Sequence, residues 1–440
     1  MVRSNAFLFH NSGLIDLLED RCRQQMDVLA QNGQIGAIGR DLTPPEGCTV
    51  IDCEGKYLMP SLIDSHTHIM FADTLPIFLA HGVTTVINMC GHACHLRWQK
   101  ELLAGTREGS DLITTGPIID GTEKYHLSFQ LCREEPISAD ASYPGLLAFP
   151  GIIAAPDAET ARKAVRYTKE AGYAYVKGYN HMEREAHDAL FDEAAKLGLQ
   201  VLGHYDDCIN SDCLTDLNPE DYEIRQRTVS HVIFVNEQNL PKMLEAGVYL
   251  DPTVIVERVH FGGERETAAY QEELSILNPA IQKSWTDSND LHRASYQGDH
   301  IKYRVKRRGF EWYEHVISTY HRSGGKIIAG TDGGMEYMLP GWSLHQELAG
   351  YVKAGLTPYE ALRTATVNPV ACFDLKDEAG TIEKGRPSRL LLLDANPLED
   401  IYALSQVSAV LKDNRFYDRA GLDTWRQQLH DLPADQLESV

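Results

Sequence analysis

Met59-Pro60-Ser61-Leu62-Ile63-Asp64-Ser65-His66-Thr67-His68-Ile69-Met70 is the stretch on which the reading of this chain turns. Leu62, Ile63 and Ile69 give it the apolar, β-rich character of a buried strand, yet it carries Asp64, His66 and His68, polar groups that such a strand buries only with partners. His66 and His68 stand two positions apart, so on a strand both imidazoles project to one face, where they can share one metal ion. Asp64 falls on the same face as His66, one step deeper, and is expected to hydrogen-bond behind the ligands.

Outward from this stretch, strands alternate with helices. Candidate strands are residues 62–69, 84–89, 111–115, 174–179, 200–205, 227–233, 249–254 and 326–332. Helical periodicity is clearest over 158–171, 183–197 and 310–323, and two further helices follow the last strand, at 343–352 and 358–366, with Pro369 ending the second. Such alternation implies parallel pairing through right-handed crossovers, and about eight such units imply a closed (β/α)8 TIM barrel.

The flanking regions read differently. Residues 6–16, 34–38 and 49–52 near the start, and 389–394 and 409–412 near the end, are short apolar runs broken by turn formers. They predict a small β-sandwich domain built from both chain ends, 1–57 with 384–440, around an α/β barrel spanning 58–383. The segments 205–221 and 257–300 exceed ordinary loop length and suit a lid or pocket wall.

Composition narrows the partners. A formal charge of -22 argues against a polyanion, so no nucleic acid is expected. The one basic cluster, Lys302, Arg304, Lys306, Arg307 and Arg308, reads as a solvated helix face. No run approaches the length of a membrane span and no signal-like start is present, so a cytoplasmic protein with no membrane partner is expected. Nine cysteines, an odd number over a long chain, do not form a disulfide framework. The run Cys90-Gly91-His92-Ala93-Cys94-His95 collects soft ligands but lacks a second paired cluster, and reads as local packing rather than a structural zinc site.

In a barrel, active sites lie at the C-terminal ends of the strands. His66 and His68 fall near the end of the first strand and Lys177 near the end of the fourth (AYVKGY). His204 ends the fifth (VLGHY), His231 lies in the sixth (TVSHVIF), and Asp332 closes the eighth (IIAGTD). Each alone has an ordinary explanation: a satisfied core histidine, a turn aspartate, a snorkelling lysine. Together, four imidazoles and a carboxylate suit zinc or a similar divalent ion, and their number exceeds one tetrahedral site. Lys177 cannot ligate as an ammonium; between two cations its pKa is depressed, and reaction with carbon dioxide would turn it into an anionic carbamate ligand.

These motifs, with SLHQELAGYVKAGLTPYEALRTATVNPV and GTIEKGRPSRLLLLDANPLEDI, make the chain resemble the metal-dependent amidohydrolase superfamily over nearly its whole length. The resemblance is to the branch with prolidase-like dipeptidases and imidazolonepropionase-like proteins. It implies a binuclear site. His66, His68 and Asp332 would hold the more buried ion, His204 and His231 the more exposed one, and a carboxylated Lys177 would bridge two divalent metal ions, zinc by expectation. Mononuclear deaminase-type members usually lack this lysine, so hydrolysis is implied over deamination. The chain departs from the usual pattern at Pro60-Ser61, at Val232 after His231, and at Tyr205-Asp206-Asp207 after His204.

The implied activity is hydrolysis of an amide bond, in a dipeptide or N-acyl amino acid, by a metal-bridging hydroxide, with Asp332 moving the proton from water to the leaving nitrogen. Lactones, cyclic amides, carbamates and phosphotriesters are the alternative substrates on the same metals, and a catalytically silent scaffold is the remaining one. Substrate-binding candidates are His126, Tyr179, Tyr205, Arg258 and His345, with Arg258 the candidate for a substrate carboxylate. A small-molecule substrate and a homo-oligomer are expected.

Overall fold

The computed structural model describes residues 1–121, 152–179, 182–204, 223–235, 237–293, 308–334, 336–376 and 380–440, and also places the short strands Glu135–Pro136 and Leu147–Phe149. Its centre is a curled parallel sheet. The strands are β1 (Leu62–Thr67), β2 (Val83–Asn88), β3 (Asp111–Asp120), β4 (Tyr175–Gly178), β5 (Val201–His204), β6 (Thr228–Ser230), β7 (Tyr249–Asp251) and β8 (Lys326–Ile327), each paired in parallel with the next. Helices α1 (Leu75–Ala80), α2 (Ala93–Ala104), α3 (Ala158–Ala171), α4 (Arg184–Leu197), α5 (Leu240–Ala246), α6 (Val254–Phe261), α7 (Ala268–Leu274), α8 (Pro279–Arg293) and α9 (Phe310–Arg322) fall between strands. Then come α10 (Trp342–Lys353), α11 (Pro358–Thr364), α12 (Val367–Phe373) and the C-terminal α13 (Arg419–Asp431).

The last two strands to carry predicted ligands are shorter than their apolar runs. β6 stops before His231, whose φ is 66°, and β8 stops well before Asp332, whose φ is 58°. A left-handed residue cannot continue a β ladder, so the chain turns inward at both. Beyond β8 the backbone nevertheless bonds to β1: Ser65 N donates to Ala329 O (2.9 Å), and Thr331 N and Asp332 N both donate to His66 O (3.1 and 2.9 Å). The two ends of the curled sheet therefore meet beside His66. β3, in contrast, runs to Asp120, because Ile118 and Ile119 extend it to pair with Ile152–Ala154.

Apolar side chains fill both sides of the sheet. Ile63, Ile87, Tyr175, Leu202, Tyr249 and Ile328 form one cluster with Cys372 and Phe373 of α12, which closes the end of the sheet opposite the predicted ligands; the Tyr175 hydroxyl donates to Phe373 O (2.8 Å). Each such fully buried side chain contributes about 1.5–3 kcal/mol. Pro369 was expected to end the helix before it. It lies instead in the first turn of α12, where a missing N–H goes unmissed, while α11 ends at Thr364.

A second sheet draws strands from both chain ends. Its hydrogen-bonded order is Val2–Arg3, Arg415–Asp418, Val407–Lys412, Arg389–Leu393, Tyr57–Pro60, Ala6–Leu14, Arg23–Gln31 and Gln34–Gly39, with Thr49–Asp52 also on Ala6–Leu14. Phe7, Phe9, Val28, Leu58, Leu390, Leu392 and Phe416 form its core. The strand Arg23–Gln31 escapes sequence reading because its first half, Arg-Gln-Gln, faces solvent. The chain after this sheet turns back onto the parallel sheet's helices, with α13 against α1 and Val440 N bonded to Met70 O (3.1 Å).

The long stretch after β7 is helical. Ile255 and Val259 of α6, Tyr270 of α7, and Ile281 and Trp285 of α8 pack on Met338, Leu339 and Trp342, so α6–α8 cover the segment that follows Asp332. No helix among the described residues is long and apolar enough to cross a membrane.

Candidate metal centre

His66, His68 and Asp332 place one ligand atom each within 4.8 Å of one another, the only such group of three among the described residues. The Nε2 atoms of His66 and His68 lie 3.2 and 3.0 Å from Oδ1 of Asp332. The local backbone explains the convergence. His68 N donates to Gly333 O, and Gly334, at φ 106°, presses so closely on the His68 carbonyl that a Cβ there would overlap it. Asp64 accepts from His66 N (3.2 Å), Thr331 N (3.1 Å) and the Thr331 hydroxyl (2.7 Å), tying β1 to the segment that carries Asp332.

Whether a cation suits this group is answered by His66. Its Nδ1 lies 2.6 Å from Oδ2 of Asp251, with both side chains fully buried. A carboxylate only accepts, so Nδ1 carries the hydrogen and Nε2 is left to face Asp332 Oδ1. At 3.2 Å that pair needs a positive charge between its atoms: a proton on His66, whose pKa burial lowers but Asp251 and Asp332 raise by more, or a metal ion. A divalent ion supplies it, and the donor set fits one.

The other predicted ligands surround this group. The His231 ring lies 4.9 Å from that of His66 and 4.6 Å from that of His204. His231 Nδ1 is 2.7 Å from the Thr253 hydroxyl, leaving Nε2 as the atom available to an ion. Burial pushes the His231 imidazole well below its ordinary pKa. Burial acts to raise the Asp332 carboxyl, but His66, His68 and His231 overcome it and hold it well below the usual carboxylate range. Lys177 is fully buried and its Nζ has no hydrogen-bond partner among the described residues. Burial brings its amine down to about 8, against the pull of Asp251 and Asp332. Gly203 makes room here: at φ 149° its Cβ position is occupied by the Gly178 carbonyl, so β4 and β5 approach closely beside Lys177 and His204.

Of the substrate-binding candidates, Tyr179 is at the site, its ring stacked on His204 at 4.0 Å and 5.7 Å from Lys177 Nζ. His126 and Tyr205 lie outside the described residues, as do Lys302 to Arg307 of the basic cluster. Arg308 is not on a solvated face: it bonds the carbonyls of Ile233 and Val235 just after His231 and lies over Trp312. The structure carries Arg258 and His345 away from the centre. Arg258 pairs with Glu314 (3.2 Å), because its position on α6 faces α9 and α10. His345 Nε2 donates to His81 O (2.8 Å) in a buried group with Glu273 and Arg426. The Cys90–His95 run serves packing: His95 Nε2 donates to Ile69 O (2.7 Å), its Nδ1 accepts from His92 N (2.9 Å), and its ring meets Trp98 edge-on.

Sequence reading missed four residues on the seventh-strand side. Asp251 ends β7 in Tyr-Leu-Asp-Pro, so the same strand-end rule that found Asp332 would have found it. Glu257 and His260 are on α6, and both feel the charge of Asp332. Arg265 lies over the Tyr337 ring at 3.6 Å, with no ion pair among the described residues; Tyr337 is itself held at φ 65°, five residues beyond Asp332. These carried no signal, since helix and loop positions cannot be triangulated from spacing.

The sequence profile described as Amidohydrolase family matches residues 57–415. A crystal structure of a Xaa-Pro dipeptidase with bound methionine in the active site resembles this fold at TM-score 0.69 and 18% identity, over 94% of this chain and 100% of that one. Molinate hydrolase does so at TM-score 0.70 and 17% identity, over 96% and 97%. Such identities speak for the fold alone. Dihydropyrimidinase of Rattus norvegicus is 41% identical over 59 residues, 12% of this chain and 11% of that protein, so the chain matches about a tenth of this relative's length.

Proposed function

The chain belongs to the amidohydrolase family, and from that premise we propose that it is a binuclear metal-dependent hydrolase cleaving the amide bond of a dipeptide or N-acyl amino acid. The observation that carries the reading is the buried Lys177 amine, without a hydrogen-bond partner among the described residues, beside His66, His204, His231 and Asp332. An unmodified ammonium there carries a burial cost of several kcal/mol that Asp251 and Asp332 offset only in part, whereas a carbamate on it is an anionic ligand.

His66, His68 and Asp332 would hold one zinc ion and His204 and His231 a second, with carboxylated Lys177 between them. Two bound ions supply a polarised substrate carbonyl and a water acidified towards neutrality. The chain's own groups do the rest. Asp332, held below the usual carboxylate range, is ionised at neutral pH and accepts the proton of the attacking water at a carboxylate oxygen, then returns it to the leaving nitrogen. Asp251 keeps His66 in a single tautomer, and the Thr253 hydroxyl orients the His231 ring. Arg265, held over the Tyr337 ring, offers its guanidinium to a substrate carboxylate, the role that Arg258 cannot take while it is paired with Glu314.

The finer architecture goes with this reading: a closed (β/α)8 barrel over 58–383, supported by the bonds from β1 to the chain beyond β8, and a β-sandwich from both chain ends. We also propose a cytoplasmic homo-oligomer acting on a small molecule, without nucleic-acid or membrane partners. The match to dihydropyrimidinase favours a cyclic amide as the second reading.

The test is a hydrolysis screen of zinc-loaded protein on dipeptides, N-acyl amino acids, cyclic amides, lactones and phosphotriesters, beside Asp332→Asn. Turnover of the first two classes that the substitution abolishes is expected. Activity confined to the other classes, or retained by the variant, refutes the assignment.

A further inference from the structure

Helix α6 starts beside the metal-ligand group and divides its side chains among three directions. Val254 joins the core between sheet and helices, and Arg258 faces Glu314 of α9 and Gly350 of α10. Ile255 and Val259 pack with Tyr270, Leu277 and Trp285 of the inserted helices. The remaining direction holds Glu257 and His260, three apart and so on one face. The residue before α6 is Thr253, whose hydroxyl meets His231 Nδ1 at 2.7 Å, so Glu257 lies about one helical turn from a ligand of the centre, and both Glu257 and His260 feel the charge of Asp332.

Glu257 is only 4% exposed, and its Oε2 atom has no hydrogen-bond partner among the described residues. Leaving a buried carboxyl oxygen unbonded incurs its full desolvation cost, which is larger when the group is charged. Its neighbours cannot offset that cost. Glu347 has both oxygens committed to the N–H groups of Val254 (2.9 Å) and Ile255 (2.6 Å), and Asp332 is held by His66 and His68. Burial, with Glu347 and Asp332 close by, pushes the Glu257 carboxyl well above its ordinary range, as expected of an acid whose counter-charge arrives with a ligand.

We propose that Glu257 is a specificity-determining residue whose carboxylate receives the free amino group of a dipeptide substrate, so that the chain prefers peptides with an unblocked N-terminus to N-acyl amino acids. The assignment rests on the amide-hydrolase reading above and narrows it. Glu257 takes no part in proton transfer; it binds and orients the amine.

The experiment compares kcat/KM for a panel of alanyl dipeptides and their N-acetyl forms, using zinc-loaded native protein and Glu257→Gln, with thermal unfolding as the check on folding. Native protein should favour the unblocked peptides at least tenfold. The substitution should lower kcat/KM on them about tenfold or more, through KM, while blocked peptides change less than twofold. An absent preference in native protein, or equal losses on both sets, overturns the proposal. If neither set is hydrolysed, the amide-hydrolase reading fails, and Glu257 is judged by calorimetric binding of alaninamide. Binding at least tenfold weaker in the variant supports the amine site, and equal or absent binding overturns it.

Discussion

Asp251→Asn tests the argument on which the metal centre depends. The Asp251 carboxylate meets His66 Nδ1 at 2.6 Å, both side chains fully buried, and this contact sets the tautomer that presents Nε2 to an ion. A hydrogen bond to a charged group is worth about 1.5–3 kcal/mol, against about 1 kcal/mol for a neutral one. The amide keeps the weaker bond at best, and it places a buried NH2 where Asp251 Oδ1 has no hydrogen-bond partner. With the orientation of His66 no longer enforced, affinity for the ion should fall about 10- to 100-fold, the usual effect of losing an outer partner of a ligating histidine. Chelator competition on zinc-loaded protein measures that affinity, and circular dichroism confirms that the fold survives. Zinc affinity within twofold of native in a folded variant would refute the tautomer argument, and with it the claim that the His66–Asp332 pair is built around a cation.

Four other outcomes follow from the same geometry. Lys177→Ala should cut turnover more than 100-fold, and bicarbonate during reconstitution should raise zinc uptake by native protein but not by the variant, measured by elemental analysis. Gly334→Ala places a Cβ against the His68 carbonyl at φ 106°; it should destabilise the fold by about 1–3 kcal/mol in urea unfolding and weaken zinc binding, since His68 must shift. Arg265→Ala should raise KM for N-acyl amino acids about tenfold or more while leaving the corresponding carboxamides unchanged. His345 is held by burial at a pKa of about 3, below its 6.5 reference, so the unfolded chain binds the extra proton between those values. That contribution to stability is complete above pH 6.5 and is lost as pH falls towards 3. His345→Gln, which can keep the bond to the His81 carbonyl, should flatten the decline in melting temperature between pH 6 and 4.

The sequence by itself determined the strand order of the parallel sheet and the six residues proposed as ligands. Apolar runs of period two alternating with helical ones can bury their faces in few ways, and polar residues near the ends of such runs are exceptions that stand out. It also placed two chain ends in one small β region, since short runs broken by turn formers at both termini have no other core to join. What only the tertiary structure decided were the partners. Asp251 is 185 positions from His66, and Thr331 is 267 from Asp64, so no local pattern could link them. Arg258 and Arg265 look alike as cations in a sequence, but α6 ends between them, so the first makes an ion pair with Glu314 from the helix while the second, beyond the Gly262-Gly263 turn, lies over Tyr337. Side-chain direction on α6 likewise separates Glu257, buried with one carboxyl oxygen unbonded among the described residues, from Ile255 and Val259, turned to the inserted helices. The stretch from Met59 to Met70 thus offers a shared metal site as its reading, because strand periodicity puts His66 and His68 on one face. Which substrate that chemistry meets depends on groups whose directions are settled only by packing.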